Sequence, residues 1–177
     1  MFNTMDTASH GPNARPGRRV ASWLEPEEVL LDVEPRDRRQ ALELAAQQFA
    51  RSHGVDAGPI FRALWRRELV GSTGIGRGVA IPHARIDGID HPITLFMRTK
   101  WPIHFESPDS KDVNHILTIL EPTDGDADEH VQLLALVAEM FMDGGFRARV
   151  AGAFDQTMIR TVFAERAREV ARRLSDS

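Results

Sequence analysis

The sequence predicts an α/β domain in which helices at both ends of the chain enclose a central run of strands. Apolar residues recur at helical spacing in the first and last thirds, and short strand-like runs bounded by turn residues fill the middle. No internal repeat or change of composition divides the 177 residues, and 42% hydrophobic content is enough for one domain with a sizeable core.

Residues 1–20 (MFNTMDTASHGPNARPGRRV) are polar and aperiodic and read as a disordered tail, leaving a domain of residues 21–174. The run EVLLDVE at 28–34 suits a strand ended by Pro35. A helix over 36–52 places Leu42, Ala45, Ala46 and Phe49 on one face, with Gly54 as its stop. A second, over 59–70, has Pro59 in its first turn and Gly71 at its end, and turns Ile60, Leu64 and Trp65 inward. Strands are expected at 79–82, 93–99, 103–105 and 113–120, between turns such as Asp87-Gly88 and Pro108-Asp109. A loop over 121–127 leads to a third helix over 128–142, with Asp128 as its N-cap and Gly144-Gly145 as its break. A short helical piece through Val150 and a last helix over 155–173 follow.

Composition removes several functions. A net charge of −4 gives no basic excess for nucleic acid, and the arginines at 36, 38 and 39 and at 166, 168, 172 and 173 read as solvated helix faces. Without cysteine there is no disulfide, thiol nucleophile or thiolate metal site. The histidines show no metal-ligand spacing. No apolar run is long enough for a bilayer and the N-terminus lacks a hydrophobic signal core, so the cytoplasm is the expected location.

The stretch at 71–85, GSTGIGRGVAIPHAR, is the most unusual. Glycines at 71, 74, 76 and 78 would waste conformational entropy in a regular element and suit a loop whose backbone approaches something closely. It is neither a P-loop, which needs Gly-Lys-Ser/Thr, nor a dinucleotide fingerprint, whose spacing differs. On glycine spacing alone a structural loop is the better reading. His83 then follows a short apolar strand and Pro82, where functional groups are commonly presented. Arg67, in the last turn of the preceding helix, and Arg85 flank this segment, and guanidinium groups beside free backbone N–H groups are a phosphate-binding arrangement.

From Arg67-Glu68 through GSTGIGRGVAIPHAR the chain resembles the phosphorylation-site segment of the fructose/mannitol-type enzyme IIA family of the bacterial sugar phosphotransferase system. Within that family it looks most like the nitrogen-regulatory enzyme IIA. The likeness continues through VNHILTILEP at 113–122 and HVQLLALVAEM from His130, and spans roughly residues 25–165. It implies a mixed, about five-stranded sheet with helices on both faces. By position His83 matches the phosphorylated histidine, Arg67 an arginine beside the phosphoryl group, and His130 a supporting histidine, which could otherwise be a solvated first-turn residue.

Three positions depart from that pattern. Ala84 replaces a glycine, Gln132 stands where some regulatory members have another histidine, and His115 occupies a usually aliphatic position and reads as a satisfied core or strand-edge residue. The resemblance implies a phosphotransferase component with a phosphohistidine intermediate and no cofactor. An HPr-like histidine phosphocarrier would stand upstream, and a regulatory target or enzyme IIB downstream. A sugar-specific transport component, or a binding module toggled by phosphorylation, is the alternative. Arg67, Arg85 and the backbone of Ser72, Thr73, Gly74, Gly76 and Gly78 would cradle the phosphoryl group. The ring nitrogen that does not react would be tied to a backbone carbonyl, though sequence does not say which nitrogen that is.

Overall fold

In the computed structural model, residues 24–176 are described, so the expected tail at 1–20 lies outside the described residues. Aspartates start most of the helices: the side chains of Asp37, Asp126, Asp143 and Asp155 accept backbone N–H bonds from the first turns of α1 (Arg38–His53), α3 (Ala127–Met142), α4 (Gly144–Gly152) and α5 (Gln156–Ser175). Asp56 precedes α2 (Ala57–Val70) without such a bond. Gly54 ends α1 at φ 68°, a left-handed position that favours glycine.

The strands are β1 (Val29–Val33), β2 (Gly74–Gly76), β3 (Val79–Ala80), β4 (His83–Ile86), β5 (Ile93–Ile103) and β6 (Val113–Pro122). They form one mixed sheet of order β1-β5-β6-β3-β2, with β4 also paired to β6. β5 runs antiparallel to β6, while β3 and β4 both run parallel to β6 along the same edge. Ile81-Pro82 breaks that lane into two, so six strands occupy five lanes. β1 pairs parallel to β5 on the other side.

Helices cover both faces. Leu42, Phe49, Ile60 and Leu64 of α1 and α2 pack on Leu95, Met97, Ile116 and Leu120. Leu136, Phe141, Phe146 and Phe163 of α3–α5 pack on Phe96, Leu117 and Ile119. From Ile116 to Leu120, alternate residues of β6 thus serve opposite cores, as the two-residue repeat of a strand requires.

Local differences from the sequence reading have physical causes. The expected strands at 93–99 and 103–105 are one strand, irregularly paired between Arg98 and Ile103, where Pro102 has no N–H to give. Phe105 lies beyond its end, fully buried. Trp65 packs on the α1/α2 core as expected but is only half-buried, with the guanidinium groups of Arg38 and Arg39 over its ring. Arg166 is not on a solvated face: it is 5% exposed and pairs with Glu169 at 2.9 Å.

Candidate functional site

His83 opens β4 directly after the lane break, opposite Ile119 of β6. It therefore begins a strand, where the sequence suggested the residue just past one. Its ring is half-buried, and both nitrogens have partners. Nδ1 lies 2.8 Å from the carbonyl oxygen of Ile81, which can only accept, so Nδ1 carries the proton. Nε2 accepts from the Nε–H of Arg67 at 3.2 Å. These contacts fix one neutral tautomer with its lone pair on Nε2. Burial holds His83 below the ordinary imidazole range; the Ile81 carbonyl opposes this, and the nearby positive charge of Arg67 reinforces it.

Arg67 is itself anchored, its Nη1–H donating to the Gly71 carbonyl at 2.8 Å past the end of α2. The ring of His130 stands with its centroid 5.6 Å from that of His83, tilted by 53°. It projects from the start of α3. The N-cap there is Asp126, whose Oδ1 accepts from the N–H groups of Asp128 and Glu129 at 2.8 and 2.9 Å, so Asp128 is a donor within the helix rather than its cap. His130 Nδ1–H donates to the carboxylate of Glu121, which is 6% exposed. A nucleophilic nitrogen, a guanidinium and a second histidine thus converge at one edge of the sheet. Such a constellation suits transfer of an anionic group such as phosphoryl.

Comparison with known proteins agrees with that chemistry. Residues 22–166 match the family described as phosphoenolpyruvate-dependent sugar phosphotransferase system, EIIA 2. The chain belongs to this family. A nitrogen regulatory protein of Bradyrhizobium diazoefficiens is 31% identical over 145 residues, covering 82% of this chain and 94% of that protein. The crystal structure of the nitrogen regulatory protein IIA-Ntr from Neisseria meningitidis superposes with a TM-score of 0.77 at 30% identity, over 82% of this chain and 99% of that one. The enzyme IIA for mannitol of Escherichia coli, solved in complex with phosphorylated enzyme IIB, shares the fold at 17% identity with a TM-score of 0.65, over 80% of this chain and 97% of that one. As an enzyme IIA of this family, the chain has a phosphotransferase role. Among the described residues no helix is long and apolar enough to cross a membrane.

The glycine-rich stretch is divided by the structure. Gly74–Gly76 and Val79–Ala80 form a hairpin whose turn holds Gly76 at φ 88°, Arg77 at 59° and Gly78 at 79°. Gly78 accepts through its carbonyl from the N–H groups of Asn114 and His115, while His83 lies opposite Ile119. Four residues of β6, 115 against 119, amount to about 13 Å. Gly76 and Gly78 therefore sit away from His83 along the sheet.

Thr73 also has an internal task. Its N–H and hydroxyl both donate to Glu68, at 3.2 and 2.5 Å. Gly74 N–H donates to Ser72 Oγ at 3.1 Å, and the Ser72 hydroxyl donates to the Phe105 carbonyl. Arg85 turns its guanidinium to the Gly125 carbonyl at 2.8 Å. The structure brings together His83, Arg67 and His130, while the polar groups of Ser72, Thr73, Gly74 and Arg85 meet other partners. Ala84 lies in regular pairing with Leu120, and Gln132 is exposed.

Two residues escape the sequence reading. Glu121 is placed there at the start of a loop, whereas β6 continues through Pro122 and carries its carboxylate inward to His130. Glu68, 2% exposed, ties Thr73 to the end of α2 and pairs with Arg38 at 3.5 Å. Glu121 follows Leu120 on β6, and Glu68 lies one turn beyond Leu64 on the buried face of α2, positions where a carboxylate is costly unless partnered. That cost is the available signal.

Proposed function

We propose that this chain is a phosphocarrier that takes a phosphoryl group onto Nε2 of His83 from an HPr-like phosphohistidine carrier and passes it on in a regulatory relay. The observation that carries this is the locked tautomer of His83, whose Nδ1–H is held by Ile81 while the Nε2 lone pair meets Arg67. A neutral imidazole with one free lone pair is the nucleophile the step requires.

In the transfer, the Nε2 pair forms a new N–P bond as the donor's N–P bond breaks in line. The bonding electrons leave with the donor ring, which departs as neutral imidazole from its ring-protonated form. His83 keeps its Nδ1 proton on Ile81. As Nε2 is taken up, Arg67 loses its contact with the lone pair, and its guanidinium fork meets the phosphoryl oxygens instead. No step calls on a metal or cofactor.

Leu69 and Val70, 63% and 82% exposed, follow Arg67 in the chain, and Val131, 63% exposed, follows His130. Exposed apolar side chains beside a charged centre suit docking of a protein donor better than a small substrate. The regulatory reading rests on relatives named nitrogen regulatory proteins. Downstream, the partner is a regulatory target or, as in the mannitol complex, an enzyme IIB. The work is placed in the cytoplasm with the donor.

The test is incubation with phosphoenolpyruvate and the two upstream carriers. Intact mass rises by one phosphoryl group in an acid-labile, alkali-stable adduct, and His83→Ala takes up none. Full incorporation in His83→Ala refutes the assignment.

A further inference from the structure

Glu121 is a carboxylate placed where the fold does not ask for one. It lies near the end of the central strand, 6% exposed, between Leu120 and Pro122. Burying such a group costs several kcal/mol unless a donor compensates. The compensation is the Nδ1–H of His130, nine residues later on the first turns of α3.

That bond decides what His130 can do. With Nδ1 committed to the carboxylate, Nε2 is the ring's only other polar atom. A singly protonated ring offers a lone pair there, which repels a phosphoryl oxygen. A doubly protonated ring offers N–H. With Nδ1 held by Glu121, His130 therefore presents an N–H to a phosphoryl group on His83 only as imidazolium.

The charges around it are few. Arg67 of α2 lies on His83, and Asp126, Asp128 and Glu129 stand at the start of α3, two of them with their N–H groups on the Asp126 cap. Arg85, opposite Glu121 in register, is drawn off to the Gly125 carbonyl. Glu121 is the buried counter-charge that touches the ring.

We propose that Glu121 is a positioning residue for phosphotransfer: it holds His130 by Nδ1 and balances the second proton, so that Nε2–H meets the phosphoryl group on His83. The proposal rests on the reading that His83 is the phosphorylated residue. When the phosphoryl dianion arrives, one proton from solvent is held at His130 Nε2, and it is released when the group departs. Loading of the carrier is thereby coupled to proton uptake.

The experiment is single-turnover transfer from the phosphorylated HPr-like carrier, measured against pH. Glu121→Gln keeps the shape and an acceptor oxygen but loses the charge. It is expected to slow transfer about tenfold at neutral pH and to move the alkaline limb of the rate profile towards acid, since a charge that balances the second ring proton is lost. In a His130→Gln background the same change should add no further loss, since Glu121 acts through that ring. Wild-type rate and profile in Glu121→Gln overturns the proposal, as does an equal loss in the His130→Gln background, which marks Glu121 as a general support of the fold. Wild-type incorporation is measured first: if the wild type takes up no phosphoryl group, the carrier reading fails and this proposal with it.

Discussion

His83 and His115 lie four register positions apart along β6, and burial lowers both imidazoles from their ordinary range, yet their surroundings have opposite characters. His83 is half-buried with each nitrogen engaged, one by a carbonyl and one by a guanidinium. His115 is 4% exposed on the central strand, its ring 6.1 Å from that of Phe96, and neither nitrogen has a hydrogen-bond partner. The sequence suggested a satisfied residue; the structure gives an unsatisfied one. Desolvation, with Arg98 and Arg147 adding positive charge nearby, brings His115 down to about 4. What separates the two histidines is thus what their ring nitrogens touch, since burial lowers both.

The largest effect expected from this contrast is on stability. The folded chain refuses a proton at His115 down to about pH 4, whereas an unfolded chain accepts it near the ordinary 6.5. Stability contributed by the neutral ring is therefore complete above the unfolded value and is lost as pH falls from there towards 4. By linkage the loss is on the order of 3 kcal/mol. His83, lowered in the same direction, adds to it with the same sign. Urea unfolding at neutral and at acid pH should show His115→Leu losing much less stability than wild type on acidification, with phosphotransfer unchanged. Equal losses in the two proteins would mean that His115 finds a partner the structure lacks.

At the other pole, Arg67→Ala should slow transfer roughly a hundredfold, comparable to removing one preorganised transition-state contact. Its melting temperature should hardly change, because the side chain is only half-buried at a helix end. Arg67→Lys should recover part of the rate, since a point charge lacks the planar fork. Rapid-quench transfer from the phosphorylated carrier measures both. An unaltered rate in Arg67→Ala would move the phosphoryl contact to another cation.

The smallest effect concerns the glycine hairpin, where the Gly78 carbonyl accepts from the N–H of His115. A Cβ on Gly78 would sit 2.9 Å from Asn114 Oδ1, at φ 79°. Gly78→Ala should cost about 1–2 kcal/mol of stability and leave transfer within twofold or so of wild type. A large loss of transfer with full stability would return the hairpin backbone to the phosphate site.

Much of this was legible in the chain. The aspartates and glycines that bound the helices, and the faces of Leu42, Phe49, Ile60 and Leu64, follow from local propensity and periodicity, which short-range sequence encodes. His83 and Arg67 stood out because an unusual glycine stretch lies between them. What was hidden depends on long-range pairing. β2 and β4 span three and four residues, too short for a period to show, and exist because β3 and β6 offer them partners. Glu121 looked like the first residue of a loop because only register with Arg85 reveals that the strand continues. The cap of α3 was placed two residues late for a related reason: Asp124, Asp126 and Asp128 alternate, and only the N–H groups of the folded first turn choose Asp126 among them.

The proposed transfer depends on which nitrogen of His83 takes the phosphoryl group. Nitrogen-edited NMR of the phosphorylated protein, with its histidine rings labelled, reads this directly from phosphorus–nitrogen coupling. The geometry predicts the group on Nε2, with the Nδ1 proton still bonded to the Ile81 carbonyl. Phosphorus coupled to Nδ1 of His83, or to either nitrogen of His130, would contradict it.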